Sequence, residues 1–424
     1  MARGGKVNVG ANTVPLWVAR TTSCPGYPKA EGVTFACDKI GTPLIMTHMS
    51  FSETFRSPTL LQSRILQRFA ALLQPKTGAE LEAMAGDAEK LTRQNFGRTM
   101  RLFAPLYLSN ECVNICKYCG FSRDNPILRV TLTVDQVEAE ARHLWAEGFR
   151  NVLLVAGEHP KFVSTDYLAQ CVARLATFIP ALSLEVGPMQ TVDYVPSVRA
   201  GAEGLVVYQE TYDRAAYAEL HTAGPKKDFD WRLDCPERAY AAGFRRLGIG
   251  ALFGLAPWEQ EALHLAAHVD YLLRHCWKSS ITVSLPRLRP AAGQFEPRYE
   301  FNDRALVQVI LALRLCFPQV GIVLSTREAP ALRDRLARLG VTMMSAGSHT
   351  EPGGYTGAGE ESIHRTQRGK ALPVIASEGE HLAATEQFAI ADERSSAEVS
   401  ARLRELGLEP VWKDWDPALA QSIT

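Results

Sequence analysis

The chain has 424 residues, 46% of them hydrophobic, with Lys plus Arg and Asp plus Glu balanced at 46 each. That length suits one large domain with extensions, or two domains, and a net charge of zero offers no general field for nucleic acid or an anionic membrane surface. No apolar run approaches the roughly 20 residues that span a bilayer, the N-terminus has no signal-peptide pattern, and nine scattered cysteines do not make a disulfide framework, so a reducing cytoplasm is expected.

Residues 1–57 are broken by Gly, Pro, Thr and Ser, and Cys24 and Cys37 stand too far apart to chelate together; a loosely ordered extension is expected. From Pro58 apolar residues recur at three- and four-residue spacing (Leu61, Ile65, Leu66, Phe69, Leu72, Leu73). They recur again through Leu81, Met84, Ala88 and Leu91 to about Phe96, which predicts two helices within 58–98. From residue 99 to 349 short β-type runs at 102–108, 152–155, 182–186, 204–208, 247–253, 281–285, 320–324 and 341–344 alternate with helical segments. The helices fall at about 135–147, 166–178, 192–200, 213–220, 236–243, 258–275, 303–315 and 329–339. Eight strand–helix units of this size predict an α/β fold, a (β/α)8 TIM-type barrel. Strands without polar alternation, such as Asn151-Val-Leu-Leu-Val155, suit a parallel sheet covered on both faces. A doubly wound open sheet is the rival. Residues 350–424 form a C-terminal extension: loop-rich at first, polar over 379–396, then an amphipathic helix at 397–406 and Val411-Trp-Lys-Asp-Trp415, expected to pack across one end of the barrel.

The chemistry begins just after the first strand, with Cys112-Val-Asn-Ile-Cys116-Lys-Tyr-Cys119. Clustered thiolates are soft ligands for zinc or an iron–sulfur cluster. Structural zinc closes four ligands; here the next cysteine is Cys171, so zinc would need a remote fourth donor such as His159. Three thiolates on a four-iron cluster would instead leave one iron open for chemistry. Tyr118 and Phe121 would wall such a cluster, and Gly120 permits close backbone approach.

Barrel chemistry collects where strands end. The expected strand ends carry Gly157 and Glu158, then Glu185, Glu210, Arg287 and Arg289, Arg327, and Ser345, while Tyr107 on the first strand points inward. Arginine grips a carboxylate with a planar fork that does not lose its charge. Arg232, Arg287, Arg289 and Arg327 are therefore candidates, with at least one expected to pair with Glu328 instead.

The C-x3-C-x2-C spacing, with an aromatic before the last cysteine, resembles the radical S-adenosylmethionine (radical SAM) enzymes. A longer set narrows the likeness: Pro105-Leu-Tyr-Leu-Ser-Asn110, Gly157-Glu-His159, Val207-Tyr-Gln-Glu-Thr-Tyr212, Asp230-Trp-Arg-Leu233, Ser284-Leu-Pro-Arg-Leu-Arg-Pro290, Ser325-Thr-Arg-Glu328, Pro352-Gly-Gly-Tyr355 and Val411-Trp-Lys-Asp-Trp-Asp416. In this order, over about residues 58–418, they resemble the tyrosine lyases of thiamine biosynthesis. The resemblance implies one [4Fe–4S] cluster on Cys112, Cys116 and Cys119, with S-adenosylmethionine bound near Gly157, Glu158, Glu185, Glu210, Arg232 and Tyr118. It implies substrate contacts from Arg327, Ser345 and Tyr107, with Arg287 and Arg289 beside them. A 5′-deoxyadenosyl radical would take hydrogen from the amino group of L-tyrosine, and Cα–Cβ scission would release p-cresol and 2-iminoacetate. A reduced flavodoxin- or ferredoxin-type donor and handover to thiazole synthase are further implications. The related hydrogenase-maturing lyase has extra C-terminal cysteines, whereas the last one here is Cys316. A lyase for another aromatic amino acid such as tryptophan, and a non-catalytic zinc-binding barrel, are the alternatives.

Overall fold

The computed structural model describes residues 49–367, 370–374 and 381–412; the expected looseness of residues 1–48 lies outside them. Eight parallel strands form the frame: β1 (Thr99–Ser109), β2 (Asn151–Ala156), β3 (Ala181–Glu185), β4 (Ala202–Val206), β5 (Arg246–Gly250), β6 (Ser280–Ser284), β7 (Gly321–Leu324) and β8 (Met343–Ser345). They pair in sequence order, and β8 closes on β1 through Arg101 with Met343, Leu102 with Met344 and Phe103 with Ser345. Closure makes this a barrel and removes the open-sheet rival.

Strand β1 shows how the sequence writes two faces. Side chains alternate along a strand, and Leu102, Ala104, Leu106 and Leu108 are fully buried in the main apolar core. Their neighbours Phe103, Pro105 and Tyr107 instead line the barrel cavity. Each outward leucine removed from water contributes about 1.5–3 kcal/mol, so a one-residue slip of register would be heavily penalised.

The N-terminal helices Arg64–Leu73 and Gly78–Phe96 pack on Asp303–Cys316. There Leu81, Met84 and Ala88 meet Leu311 and Leu315 in a satellite core. Contacts on a second side explain why Asp303–Cys316 is buried along nearly its whole length.

Three departures from the sequence reading matter. Residues 49–57, assigned to the extension, contain a helix at Phe51–Phe55. Phe51 is fully buried and stacks on His268 at 4.1 Å, and Ser52 bonds Asp234. Five residues are too few to show a period, so only the tertiary contacts reveal this helix. Next, the link from β4 to β5 holds more than the two expected helices. His221–Ala223 pairs antiparallel with Ile115–Cys116, and a short helix follows at Phe229–Leu233.

Finally, the C-terminal extension serves both ends of the barrel. Glu409–Val411 adds a parallel strand at the N-terminal end of β1, and Trp412 stands edge-on to Phe149 at 5.1 Å. The rest of the Val411-Trp412 motif lies outside the described residues. Residues 385–392 cross the opposite mouth, held by backbone bonds from Gln387 to Thr350, Ala389 to Pro290, and Ala391 to Thr326. Asp392 anchors this strap in a fully buried ion pair with Arg333, which also donates to the Ser345 carbonyl. Removing one partner of a buried pair strands the other charge, so Asp392→Ala is expected to lower unfolding stability by about 3–5 kcal/mol. Urea titration of the cluster-free protein measures this. Among the described residues no helix is long and apolar enough to cross a membrane.

Candidate active site

The expected strand-end residues meet at the mouth beneath the strap, with the exception of Arg287. The cysteine loop after β1 is held from behind by Arg129, 1% exposed, which donates to the carbonyls of Asn110 (2.6 Å) and Ser122 (2.8 Å). Two glycines let other backbone close on it. A Cβ on Gly157 would lie 2.2 Å from the Glu111 carbonyl oxygen, and one on Gly120 would lie 2.3 Å from that of Gln387. Cys112, Cys116 and Cys119 line one cavity together with Glu158, Glu210, Lys226 and Arg232.

Two of the three sulfurs receive an amide N–H. Asn114 Nδ2 donates to Cys112 Sγ at 3.6 Å and to Glu158 Oε2 at 2.7 Å, and Gln387 Nε2 lies 3.9 Å from Cys119 Sγ. Burial raises the Cys112 and Cys116 thiols above their usual range, so a bound metal must supply the drive to deprotonate them. Among the described residues no three His, Cys, Asp or Glu side chains are set to hold a single metal ion. His159, the remote zinc donor considered from sequence, accepts from the Lys161 amide at 3.3 Å and does not line this cavity. Three soft donors, N–H groups at two sulfurs, and a floor bearing both carboxylates and cations fit a [4Fe–4S] cluster with S-adenosylmethionine.

Glu210 takes φ +72°, a left-handed conformation rare for a side-chain-bearing residue and costing about 1–3 kcal/mol. Its carbonyl accepts from Leu252 N at 2.7 Å, which holds the turn against β5. Its carboxylate meets Lys226 Nζ at 2.7 Å and Arg232 Nη2 at 3.3 Å. Burial opposes ionisation, but the two cations prevail and hold it below the usual carboxylate range. Arg232 is also tied by Nε to the Tyr208 carbonyl (2.7 Å), so it is a shared cation rather than a free fork. Tyr118 bonds His221 at 2.7 Å, and Lys226 stands 5.6 Å from its ring centre.

Glu185 is pushed up to about 7 by burial and by the nearby Glu210 charge. A carboxyl whose folded pKa exceeds its unfolded one stabilises the fold fully below the unfolded value of 4.5 and ceases to as pH rises through about 7. The folding stability of the cluster-free protein should therefore fall between about pH 5 and pH 8 by up to about 3 kcal/mol more than that of Glu185→Gln. Denaturation midpoints at both pH values decide it; equal slopes would refute it.

A second cavity adjoins the first, sharing Cys119, Val155, Glu185, Tyr208, Glu210, Lys226 and Gln387. Its walls are largely apolar: Phe103, Pro105, Leu153, Leu252, Leu285, Leu288, Val323 and Leu324. Arg327 lines it, its guanidinium 3.3 Å from the centre of the Phe388 ring and bonded to the Arg287 carbonyl at 3.3 Å. Among the described residues no ion pair engages Arg327, and desolvation lowers its pKa. Ser345 Oγ accepts from Thr326 N at 3.1 Å, and the Tyr107 hydroxyl donates to Gln387 Oε1 at 2.8 Å. Arg289 also lines the cavity, its Nε reaching the Ala389 carbonyl at 3.4 Å.

Arg287 does not. Its Nε and Nη2 grip Glu328 and its Nη1 meets Asp303 at 2.8 Å, and it is absent from the cavity wall. It is the arginine that pairs with Glu328, and the substrate contact expected of it is corrected: two residues' spacing from Arg289 could not say which way either side chain turned. Sequence reasoning also missed Lys226, Tyr208, Gln387 and Phe388. Tyr208 carried a signal, the end of a predicted strand, whereas the others lie in turns and loops without periodicity.

Comparison with known proteins agrees with this geometry. Residues 106–266 match the radical SAM superfamily and residues 284–409 the biotin and thiamin synthesis associated domain. The chain is 41% identical over 353 residues to 2-iminoacetate synthase of Escherichia coli K12, covering 83% of this chain and 88% of the relative. It is 28% identical to 3-methylornithine synthase of Methanosarcina barkeri over 41% of its length and 48% of the relative. Among solved structures, the FeFe-hydrogenase maturase HydG from Carboxydothermus hydrogenoformans superposes with TM-score 0.73 at 33% identity, covering 84% of this chain and 78% of that one. Three cysteines at one barrel mouth, an adjoining arginine-bearing cavity and identity across nearly the whole of a curated relative make this chain a member of the 2-iminoacetate synthase family of radical SAM enzymes.

Proposed function

We propose that the protein cleaves the Cα–Cβ bond of L-tyrosine to p-cresol and 2-iminoacetate, for the thiazole ring of thiamine. The observation that carries this reading is Arg327: a cation with no ion-pair partner among the described residues, set in a largely apolar cavity that shares Cys119 with the adjoining cavity of the three thiols. A [4Fe–4S] cluster with S-adenosylmethionine, held by Cys112, Cys116 and Cys119, supplies the one-electron chemistry that removes hydrogen from the substrate.

The chain's own residues do the rest. Arg327 holds the substrate carboxylate, with Arg289 the second cation of that wall, and Ser345 stands beside them. The apolar walls take the aromatic ring and exclude water, which strengthens each polar contact inside. Glu158, held by Asn114, and the Glu210–Lys226–Arg232 cluster receive the polar groups of S-adenosylmethionine, with Gly157 keeping the floor open, while Tyr118 lines the adjoining substrate cavity. Glu185 lies where the two cavities meet, and Tyr107 lines the substrate cavity bonded to Gln387 at that junction, so they orient the reacting end of the substrate.

The same reading includes a cytoplasmic location, a reduced flavodoxin- or ferredoxin-type donor, and transfer of the imine product to thiazole synthase. Anaerobic turnover with S-adenosylmethionine, dithionite and either tyrosine or tryptophan tests it. We expect p-cresol from tyrosine. Indole-derived products alone, or a colourless protein that retains zinc after iron–sulfide reconstitution, would overturn it.

A further inference from the structure

We propose that Gln387, on the strap across the barrel mouth, is a positioning residue that couples the two cavities, acting on the cluster through Cys119 and on the substrate through Tyr107. The inference rests on the cluster reading above and adds a residue from outside the barrel strands. Gln387 borders both cavities. Its carbonyl packs so tightly on Gly120 that a Cβ there would lie 2.3 Å away, its Oε1 accepts from Tyr107 at 2.8 Å, and its Nε2 lies 3.9 Å from Cys119 Sγ.

Chemistry agrees with that orientation of the amide. A metal-bound thiolate accepts hydrogen bonds and repels a carbonyl oxygen, which leaves the carbonyl for the phenol to donate to. The position is also fixed from outside, because Gln387 N bonds the Thr350 carbonyl at 2.8 Å and Ala389 N the Pro290 carbonyl at 2.8 Å. An N–H aimed at a cluster sulfur stabilises the electron-rich reduced state and so raises the reduction potential. The acceptor on the other side holds the Tyr107 ring edge-on to Phe121, with ring centres 5.9 Å apart.

Two substitutions separate the roles. Gln387→Glu keeps an acceptor for Tyr107 and removes the donor to Cys119; Gln387→Leu removes both. In full-length protein reconstituted to wild-type iron and sulfide content, both variants should have a cluster at least tenfold harder to reduce, a shift of about −59 mV for one electron. Midpoints followed by electron paramagnetic resonance measure this. The p-cresol formed per 5′-deoxyadenosine should fall about three- to tenfold in Gln387→Leu, the worth of one neutral hydrogen bond, and hold in Gln387→Glu. Unchanged midpoints in both variants, or an unchanged product ratio in Gln387→Leu, would overturn the proposal. If Gln387→Leu does not keep its cluster, Gln387→Asn, whose amide is too short to reach both partners, takes its place under the same criteria. Wild-type protein without a cluster, or without p-cresol, would refute the functional reading instead, so the two failures are distinguishable.

Discussion

Cys116→Ala is expected to abolish 5′-deoxyadenosine formation while leaving the barrel folded. Cys116 is 3% exposed and belongs to a small apolar cluster with Tyr118, Leu220, Leu252 and Leu255. Alanine there trims one sulfur from a short strand pair that keeps its backbone bonds, so the secondary structure should persist in circular dichroism. The loss to cofactor binding is of another order. Partners that only orient a metal ligand are worth about 10- to 100-fold in affinity or activity, and a ligand itself is worth more. We therefore expect at least about a hundredfold less 5′-deoxyadenosine, together with loss of iron and of the visible iron–sulfur absorption. Persistent 5′-deoxyadenosine from a correctly folded variant would overturn the cluster assignment.

The second large effect is expected at Arg327. A buried charge pair loses about 2–5 kcal/mol when one side is truncated, a factor of roughly 30 to several thousand. Arg327→Ala should lower kcat/KM for tyrosine within that range. Arg327→Lys should recover only a small part of it, since a single ammonium cannot reproduce the fork or its stacking on the Phe388 ring 3.3 Å away. Two further readouts separate substrate binding from a structural role. Tyrosine-independent cleavage of S-adenosylmethionine should continue in both variants, and thermal stability without substrate should not fall, because desolvation already disfavours this guanidinium. A variant that loses stability and both reactions together would assign Arg327 to the framework. Arg287→Ala, by contrast, breaks the Glu328 and Asp303 pairs and is expected to act on stability first.

Much of the site was legible before any coordinates. The cysteine spacing names a soft, open metal site because three thiolates within eight residues have little other use. Strand ends also mark active sites in this fold, for a topological reason, and that placed Glu158, Glu185, Glu210, Arg289, Arg327 and Ser345 around the two cavities. It failed for Arg287, where the chain has left β6 and alternation no longer sets direction. It also passed over Lys226, which reaches Glu210 only because the Ile115–Cys116 and His221–Ala223 pairing brings that turn to the cysteine loop.

By itself the sequence determined the eight repeating strand–helix units, the helices Arg64–Leu73 and Gly78–Phe96, and the thiol triad, because periodicity and close spacing are local properties, while closure into a barrel rests on the pairing of β8 with β1. Only the tertiary structure decided that Phe51–Phe55 is a docked helix, that Arg327 and not Arg287 faces the cavity, and that a polar segment closes the mouth. The strap has no repeating apolar face of its own. Its place is set by Asp392 against Arg333 and by Gln387 against Tyr107, pairs 59 and 280 residues apart, and contacts at such separation leave no pattern in the chain.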